Sequence, residues 1–587
     1  MRSFIPSAIA AVATALLAQT AFAATYRVGS GAGCTHTTIQ AAITDAVATA
    51  ADDEIRVSNT SWTGQALAIN AAQGAVTLRG GYPNCTFSTP VAGARTLLSG
   101  NNADPVLRIN ASPSVTLRSL DLQGGRSSDN GGGIRYTTSA AATLVLEDTW
   151  VRNNNAVAAG GGLSIENANA QLAPDQVRVD LRGASSVLGN MASGGNGIGG
   201  GIHCVRASVA IAGSTHVSQN QARKFGGGIN ADDCKVTIGS TGVAGAVLWA
   251  NEVEDIGGGA YARGRLASID IHAIDALQPA RVLGNRGYAG AALAANAGAV
   301  MRLFDVNVEQ NIGVSDAIWV NSYGPGDTTA TRFLMQGGID GAPSAAVPCA
   351  EPEACNRFIG NSVDADTGSV IRVRSDAFGQ DAALASLRGT RIEGNAGRRL
   401  LDVRDAMIDL DGALVVGNTS GSLAYSSLGR LTLRASTIAG NALATGSDIL
   451  YGPGSCADAQ PGTRIERSIV WQPGHRLADF DVDFPVEPDC FRQVIAADFG
   501  LLAASPERVV ADPQFVDPGA GDYRPAPGSL ALDFAPASAA DATRDRTPRV
   551  LDLADAPNRF GPQDLGAYER ITDRIFADGF ECESCDH

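Results

Sequence analysis

Lysine is almost missing from this chain: of 44 basic residues among 587, only Lys224 and Lys235 are lysines. Positive charge is in short supply altogether, since 60 acidic residues leave a formal charge of −16 and a pI near 4.9. Such a chain repels nucleic acid phosphates and anionic membranes, so neither is expected as a general partner. An acidic polysaccharide would need a local basic groove or bridging Ca²⁺. Aromatic residues are scarce at 5%, and charged residues amount to 18% beside 69 glycines. That composition excludes a disordered chain, and the length is large for one compact globule. Beyond the N-terminus no uninterrupted apolar run is long enough to span a bilayer.

What the chain has instead is a repeat. Apolar runs rich in Val, Ile, Leu and Thr end in an Asn at Asn154, Asn190, Asn220, Asn251, Asn285, Asn311, Asn361, Asn395, Asn418 and Asn441. The last three are 23 residues apart. A unit that short cannot close a core on itself and must stack on its neighbours. Apolar and polar residues alternate as in Leu431-Thr432-Leu433-Arg434, the signature of a strand with one buried face. Asn tolerates the left-handed backbone conformation, and its amide can bond to a copy of itself one strand away. A column of stacked Asn at a bend is therefore expected. Leucine-rich repeats need a fixed Leu spacing that these copies lack. The expectation is an all-β fold, a right-handed parallel β-helix solenoid.

The pairing of these Asn residues with Gly199-Gly200-Gly201-Ile202 and Gly226-Gly227-Gly228-Ile229 resembles the repeat of polymorphic outer-membrane adhesins and of secreted proteins with the pectin-lyase-like fold. Asp512-Pro513-Gln514-Phe515, Gly521-Asp522-Tyr523-Arg524, Pro527-Gly528-Ser529 and Asp564-Leu565-Gly566-Ala567-Tyr568-Glu569 resemble the choice-of-anchor Q domain that follows such β-helices. The resemblance implies a parallel β-helix and an extracellular place, and it implies no defined reaction.

Five segments follow. Residues 1–23 read as a secretory signal, with Arg2, an apolar core from Ala8 to Ala18, and a small-x-small site at Ala21-Phe22-Ala23. Residues 24–100 hold a cap and the first coils. Thr37 and Gln40 form a capping-box pattern, with Ile39, Ala42, Ile43, Ala46, Val47 and Ala50 on one face of a short helix suited to plugging the solenoid end. Residues 101–471 carry the coils, a rod of about a dozen turns and on the order of 55 to 60 Å. Residues 472–570 form the β-rich anchor-type segment. Residues 571–587 are a tail with a possible sorting motif and a CxxC, Cys582-Glu583-Ser584-Cys585, read as a local disulfide rather than a redox or zinc motif. An exported chain with ten cysteines favours disulfides. Cys204 and Cys234 each lie 14 residues after a repeat Asn, which places them near one another on adjacent coils. Cys34 with Cys85, Cys349 with Cys355, and Cys456 with Cys490 are weaker pairings.

The chemistry is sparse. The polygalacturonase-like patterns N-T-D, G-H-G and R-I-K and the nonapeptide of Ca²⁺-binding β-rolls are absent. His203, His216 and His272 share no spacing. Gly195-Asn196-Gly197-Ile198-Gly199-Gly200 satisfies G-x-G-x-x-G but opens no helix, so a nucleotide site is not expected. Asp232-Asp233 read as turn residues. The densest acidic group is Asp402, Asp405, Asp409 and Asp411 with Arg404, a Ca²⁺ or acid/base site if the chain is an enzyme. Against that, Arg388, Asp411 and Arg434 each lie seven residues before an Asn of the repeat, which predicts an exposed charge ladder across three coils. Two functions stand: a non-catalytic secreted or cell-surface bacterial protein presenting loops to a surface or glycan, with no cofactor, and a polysaccharide lyase or glycoside hydrolase acting on an acidic polysaccharide.

Overall fold

The computed structural model describes residues 23–110, 114–274, 278–322, 329–336, 355–379, 382–457, 460–480, 486–538, 552–554 and 556–570. The signal-like residues 1–22, Cys349 and the tail with its CxxC lie outside the described residues.

The chain winds as a right-handed parallel β-helix. Its 23-residue coils show the plan most simply. Leu384–Arg388, Met407–Asp411 and Arg430–Arg434 pair in parallel as a first ladder. Arg391–Glu393, Leu414–Val416 and Thr437–Ala439 form a second, and Ala396–Arg404 with Thr419–Ser427 belong to a third. The first two ladders join where Gly462–Trp471 runs through both. Alternate residues point inward, so Ile408, Leu410, Leu431 and Leu433 are buried in one continuous apolar core. A short additional sheet from Arg126–Ser127 to Ile312–Gly313 borders the earlier coils.

The first ladder continues past Trp471, because Phe491 and Arg492 pair on Ile465 and Glu466, whereas Arg508–Val510, pairing on Val494–Ala496, extends the second ladder. Among the described residues the first ladder has sixteen strands, from Thr25–Val28 to Phe491–Ala496. Fifteen steps of about 4.8 Å give a rod of about 72 Å, longer than the repeat alone suggested.

All ten repeat Asn residues stand in one column. From Asn154 to Asn441 each Nδ2 donates to the Oδ1 of the next Asn at 2.8–3.0 Å. Asn190 shows the pattern: its Oδ1 accepts from the backbone and side-chain nitrogens of Asn154, and its Nδ2 also donates to Val151 O. Every amide position is used, which is what makes a buried column of primary amides tolerable. The left-handed backbone expected of these Asn residues belongs to their predecessors, Asn153, Gly189, Gln219, Ala250, Gly284, Gln310, Gly360, Gly394, Gly417 and Gly440. The preceding residue turns the corner, and that turn leaves the Asn side chain aimed along the rod axis.

The Gly triplets stack on one another, with Gly200 N bonded to Gly226 O and Gly201 N to Gly227 O. A Cβ at Gly200 would lie 2.2 Å from Gln221 O, so the dense glycines serve close strand approach.

Near the N-terminus the helix Ile39–Val47 buries Ile39, Ala42, Ile43 and Ala46 into the core. Its N-cap is Thr38, which accepts from Ala41 N, and not Thr37. Gln40 does not complete a capping box. Its amide is taken by Ala68, accepting from the backbone N at 2.8 Å and donating to the O at 3.1 Å, which satisfies part of the edge strand Leu67–Asn70.

Disulfides join Cys34 to Cys85, Cys204 to Cys234 and Cys456 to Cys490, and Cys355 is also disulfide-bonded. Cys204 faces Ala231 rather than Cys234 in the register. The interval from Asn190 to Gly199 is three residues longer than that from Asn220 to Gly226, so equal counts do not mean equal columns. The bridge forms on a diagonal, with Cα atoms 5.9 Å apart.

Residues 512–538 and 556–570 lie against the outside of the second ladder. Tyr523, Ala567 and Tyr568 cover Leu414, Val416 and Ala439, and Ala531, Phe534, Ala535 and Leu565 cover Ile469 and Ile495. Ala567 N donates to Thr437 Oγ1 at 2.9 Å and Gly566 N to Arg467 O at 3.0 Å. Gly566 has φ +93°, and a Cβ there would lie 2.4 Å from Thr437 Oγ1, so only glycine lets this segment lie down on the rod. No helix among the described residues is long and apolar enough to cross a membrane.

Candidate functional site

The acidic group from Asp402 to Asp411 is divided by the fold. Asp402 and Arg404 lie on the third ladder, whereas Asp409 and Asp411 lie on the first. Asp405 sits in the bend between them with φ +49°. Burial raises its carboxyl above the usual range, against the pull of Arg374 and with the help of Asp376. Arg388, Asp411 and Arg434 share one column on successive coils, and Arg388 Nε lies 3.3 Å from Asp411 Oδ2. That ladder is less exposed than its sequence position suggests, for Asp411 is buried beneath the flanking arginines. Asp232 pairs with Arg263 at 3.1 Å, and Asp233 occupies a left-handed bend where it accepts from Leu266 N.

The third ladder builds a denser constellation. One outward column runs Trp319, Arg372, Asp402, Tyr425, Tyr451 and Asp479 on consecutive coils. Arg372 stands between two carboxylates, its Nε 3.0 Å from Asp316 Oδ1 and 3.3 Å from Asp402 Oδ2. Its Nη1 donates to Ser315 Oγ at 2.7 Å. Asp402 also receives both arms of the Arg404 fork at 3.2 Å and a bond from Ser369 Oγ at 3.3 Å. Arg399 Nη1 is 3.6 Å away. Both carboxylate side chains are 0% exposed.

Asp316 differs from Asp402 in its partners. The Arg372 contact is close but poorly aimed, and among the described residues neither Asp316 oxygen accepts a hydrogen bond. Burial therefore pushes its carboxyl up to about 7, opposed by Arg372 and by the nearby Ser315 hydroxyl and assisted by Asp402. The guanidinium of Arg399 lies 3.7 Å over the ring of Tyr425, and Tyr425 stacks on Tyr451 at 5.0 Å and 7°. Beside them a groove of about 330 Å³ is lined by Asn296, Trp319, Asn321, Arg374, Ser375 and Asp376.

These residues can hold a polar ligand through guanidinium forks and half-buried rings. They do not form a Ca²⁺ cradle, which takes six to eight oxygen ligands. The acidic side chains are split between ladders, and Asp402 and Asp411 face guanidinium groups. Asp316, Arg372, Arg399, Trp319, Tyr425 and Tyr451 are site residues that the sequence pattern did not single out. The one signal available was that Asp402 and Tyr425 both lie seven residues after a repeat Asn.

No family model matches the chain, and no curated protein matches it. A solved structure, that of ybhc from Escherichia coli, is similar at 14% sequence identity with a TM-score of 0.24, covering 59% of this chain and 84% of that one.

Proposed function

We propose that this is an exported or surface-displayed bacterial protein that binds a glycan along the outward face of its third ladder and does not turn it over. The observation that carries the reading is the way Asp402 is spent. Its oxygens are occupied by Arg404, Arg372 and Ser369, so the carboxylate serves to hold guanidinium groups in place. What faces outward is arginine and ring: Arg404 is 42% exposed, and Trp319, Tyr425 and Tyr451 are half-buried. Such a surface suits a sugar chain carrying acidic groups. The adhesin-like repeats and the choice-of-anchor Q-like segment support a place on the cell surface, and the disulfides support export.

Incubating the protein with pectin, alginate and glycosaminoglycans, with and without Ca²⁺, tests this. Retention of one of them, lost in Arg404→Gln and Tyr451→Ala, is the expected result. Release of shortened products would sink it.

A second reading, a lyase or hydrolase on an acidic polysaccharide, draws on Asp316. A carboxyl that keeps its proton near neutrality is what general acid catalysis needs. Asp316 lies sealed behind Arg372, so this reading requires Arg372 to move when substrate enters. Product release abolished by Asp316→Asn would establish it.

A further inference from the structure

The first ladder has a second basic site, separate from the glycan-binding face. A cavity of about 180 Å³ opens on its outer surface, lined by Asp409, Arg430, Thr432, Arg434, Cys456, Gly462 and Arg464. In a chain with 16 more acidic than basic residues, three guanidinium groups and one carboxylate around a single hollow mark a local reversal of sign.

The register explains how they meet. Arg430, Thr432 and Arg434 alternate along one strand, so their side chains share the outward face. On the next coil Arg464 stands opposite Thr432, and Gly462 stands opposite Arg430. On the previous coil Asp409 stands opposite Thr432. Gly462 sets no side chain beside Arg430. A Cβ there would lie 1.9 Å from Ser455 O, so the Ser455–Cys456 backbone walls the hollow where a side chain would otherwise stand. The disulfide to Cys490 ties that wall down. Two of the arginines have carboxylates on their outer flanks: Glu466 Oε1 is 3.4 Å from Arg464 Nε, and Asp411 and Glu466 are the register neighbours of Arg434. Arg430 gives one amino group to Met407 Sδ at 2.8 Å, a weak acceptor.

We propose that this hollow binds a tetrahedral oxyanion, a phosphate or sulfate group. Arg430 and Arg434 reach it from two ends of one strand and Arg464 from the neighbouring coil, with the Thr432 hydroxyl at the floor. Donors converging from three directions match an anion with three free oxygens better than a flat carboxylate, which one guanidinium fork can saturate. Asp409 at one side disfavours a second negative group, which restricts the site to one compact anion.

Calorimetric titration of the full chain with inorganic phosphate, sulfate and acetate, in low-salt buffer, tests the assignment. Saturable one-to-one binding of phosphate or sulfate, with acetate much weaker, is expected, and the better of the two identifies the source chemistry. Arg464→Gln and Arg430→Gln each weaken it about tenfold or more, while Tyr451→Ala on the third ladder leaves it unchanged. No saturable heat from either tetrahedral anion overturns the proposal, as does acetate binding equally well. Unchanged affinity in both arginine variants, each checked for its thermal midpoint, overturns it too. Loss of glycan retention without loss of phosphate or sulfate binding would separate this site from the glycan reading.

Discussion

Asp316 and Asp402, on coils two steps apart, converge on one guanidinium, that of Arg372. The Asp402 carboxylate is also held by Arg404 and Ser369, whereas among the described residues no well-aimed hydrogen bond reaches the buried Asp316 oxygens. Burial raises Asp316 from 3.8 to about 7. Between those values the folded chain keeps a proton that the unfolded chain has released. Stability from this group is thus full below about pH 4 and falls as pH rises toward about 7, by at most on the order of 4 kcal/mol. Urea midpoints compared at about pH 5 and about pH 8 should show that fall, and Asp316→Asn should flatten it and raise the midpoint at the higher pH. An equal slope in the variant would remove Asp316 as its origin.

Truncating one member of the Asn column should be felt on both sides. Asn395 accepts from Asn361 and donates to Asn418 Oδ1 and Phe358 O. Asn395→Ala leaves buried groups of two neighbouring coils unbonded, at about 1–3 kcal/mol for each group left without a partner. Chemical denaturation should report a loss of at least about 2 kcal/mol. A change below about 0.5 kcal/mol, the ordinary scale for a surface position, would contradict the saturated-amide account.

Removing the Cys204–Cys234 bridge, which closes 30 residues, should cost about 3–4 kcal/mol in a Cys204→Ser, Cys234→Ser double variant. The wild-type chain should become at least as labile in a reducing buffer, which also opens the Cys34–Cys85 and Cys456–Cys490 bridges. If the reduced wild type keeps its full midpoint, the bridge adds nothing to the stacking already present there.

The Arg388–Asp411–Arg434 column makes a directional prediction. Asp411→Asn removes the charge between two guanidinium groups and leaves them facing one another, so a loss of about 1–2 kcal/mol is expected. Raising the salt concentration should shrink that difference by screening the repulsion. Insensitivity to salt would mean that hydrogen bonding rather than charge sets the cost.

This column was legible from sequence because Asn395, Asn418 and Asn441 are evenly spaced, with no insertion between them. The Asp316–Arg372–Asp402 group was not, because the spacing between the Asn and the third ladder varies there. The register partners Trp319, Arg372 and Asp402 lie 8, 11 and 7 residues after Asn311, Asn361 and Asn395, so no count from the repeat aligns them. Conversely, Asp402 and Asp409 look adjacent in sequence, yet the left-handed bend at Asp405 sends them to different faces. The β-helix itself was legible because alternation and stacked Asn residues are properties of single strands. Which residue turned each corner was not, because a left-handed bend accepts Gly, Gln, Ala or Asn alike in these coils.

The Asn column also has a sense of direction. Every Nδ2 points from one coil to the next toward the C-terminus, beginning with Gly125 N donating to Asn154 Oδ1 and finishing where Asn441 meets Gln472. Gln472, with one more methylene, turns its own amide back to Asn441 O at 2.7 Å and so ends the series. The side-chain dipoles therefore add head to tail, with the positive end toward the C-terminal coils. Through its polar spine the rod is a polarised wire, whose two ends are electrically unlike even where their strands look the same.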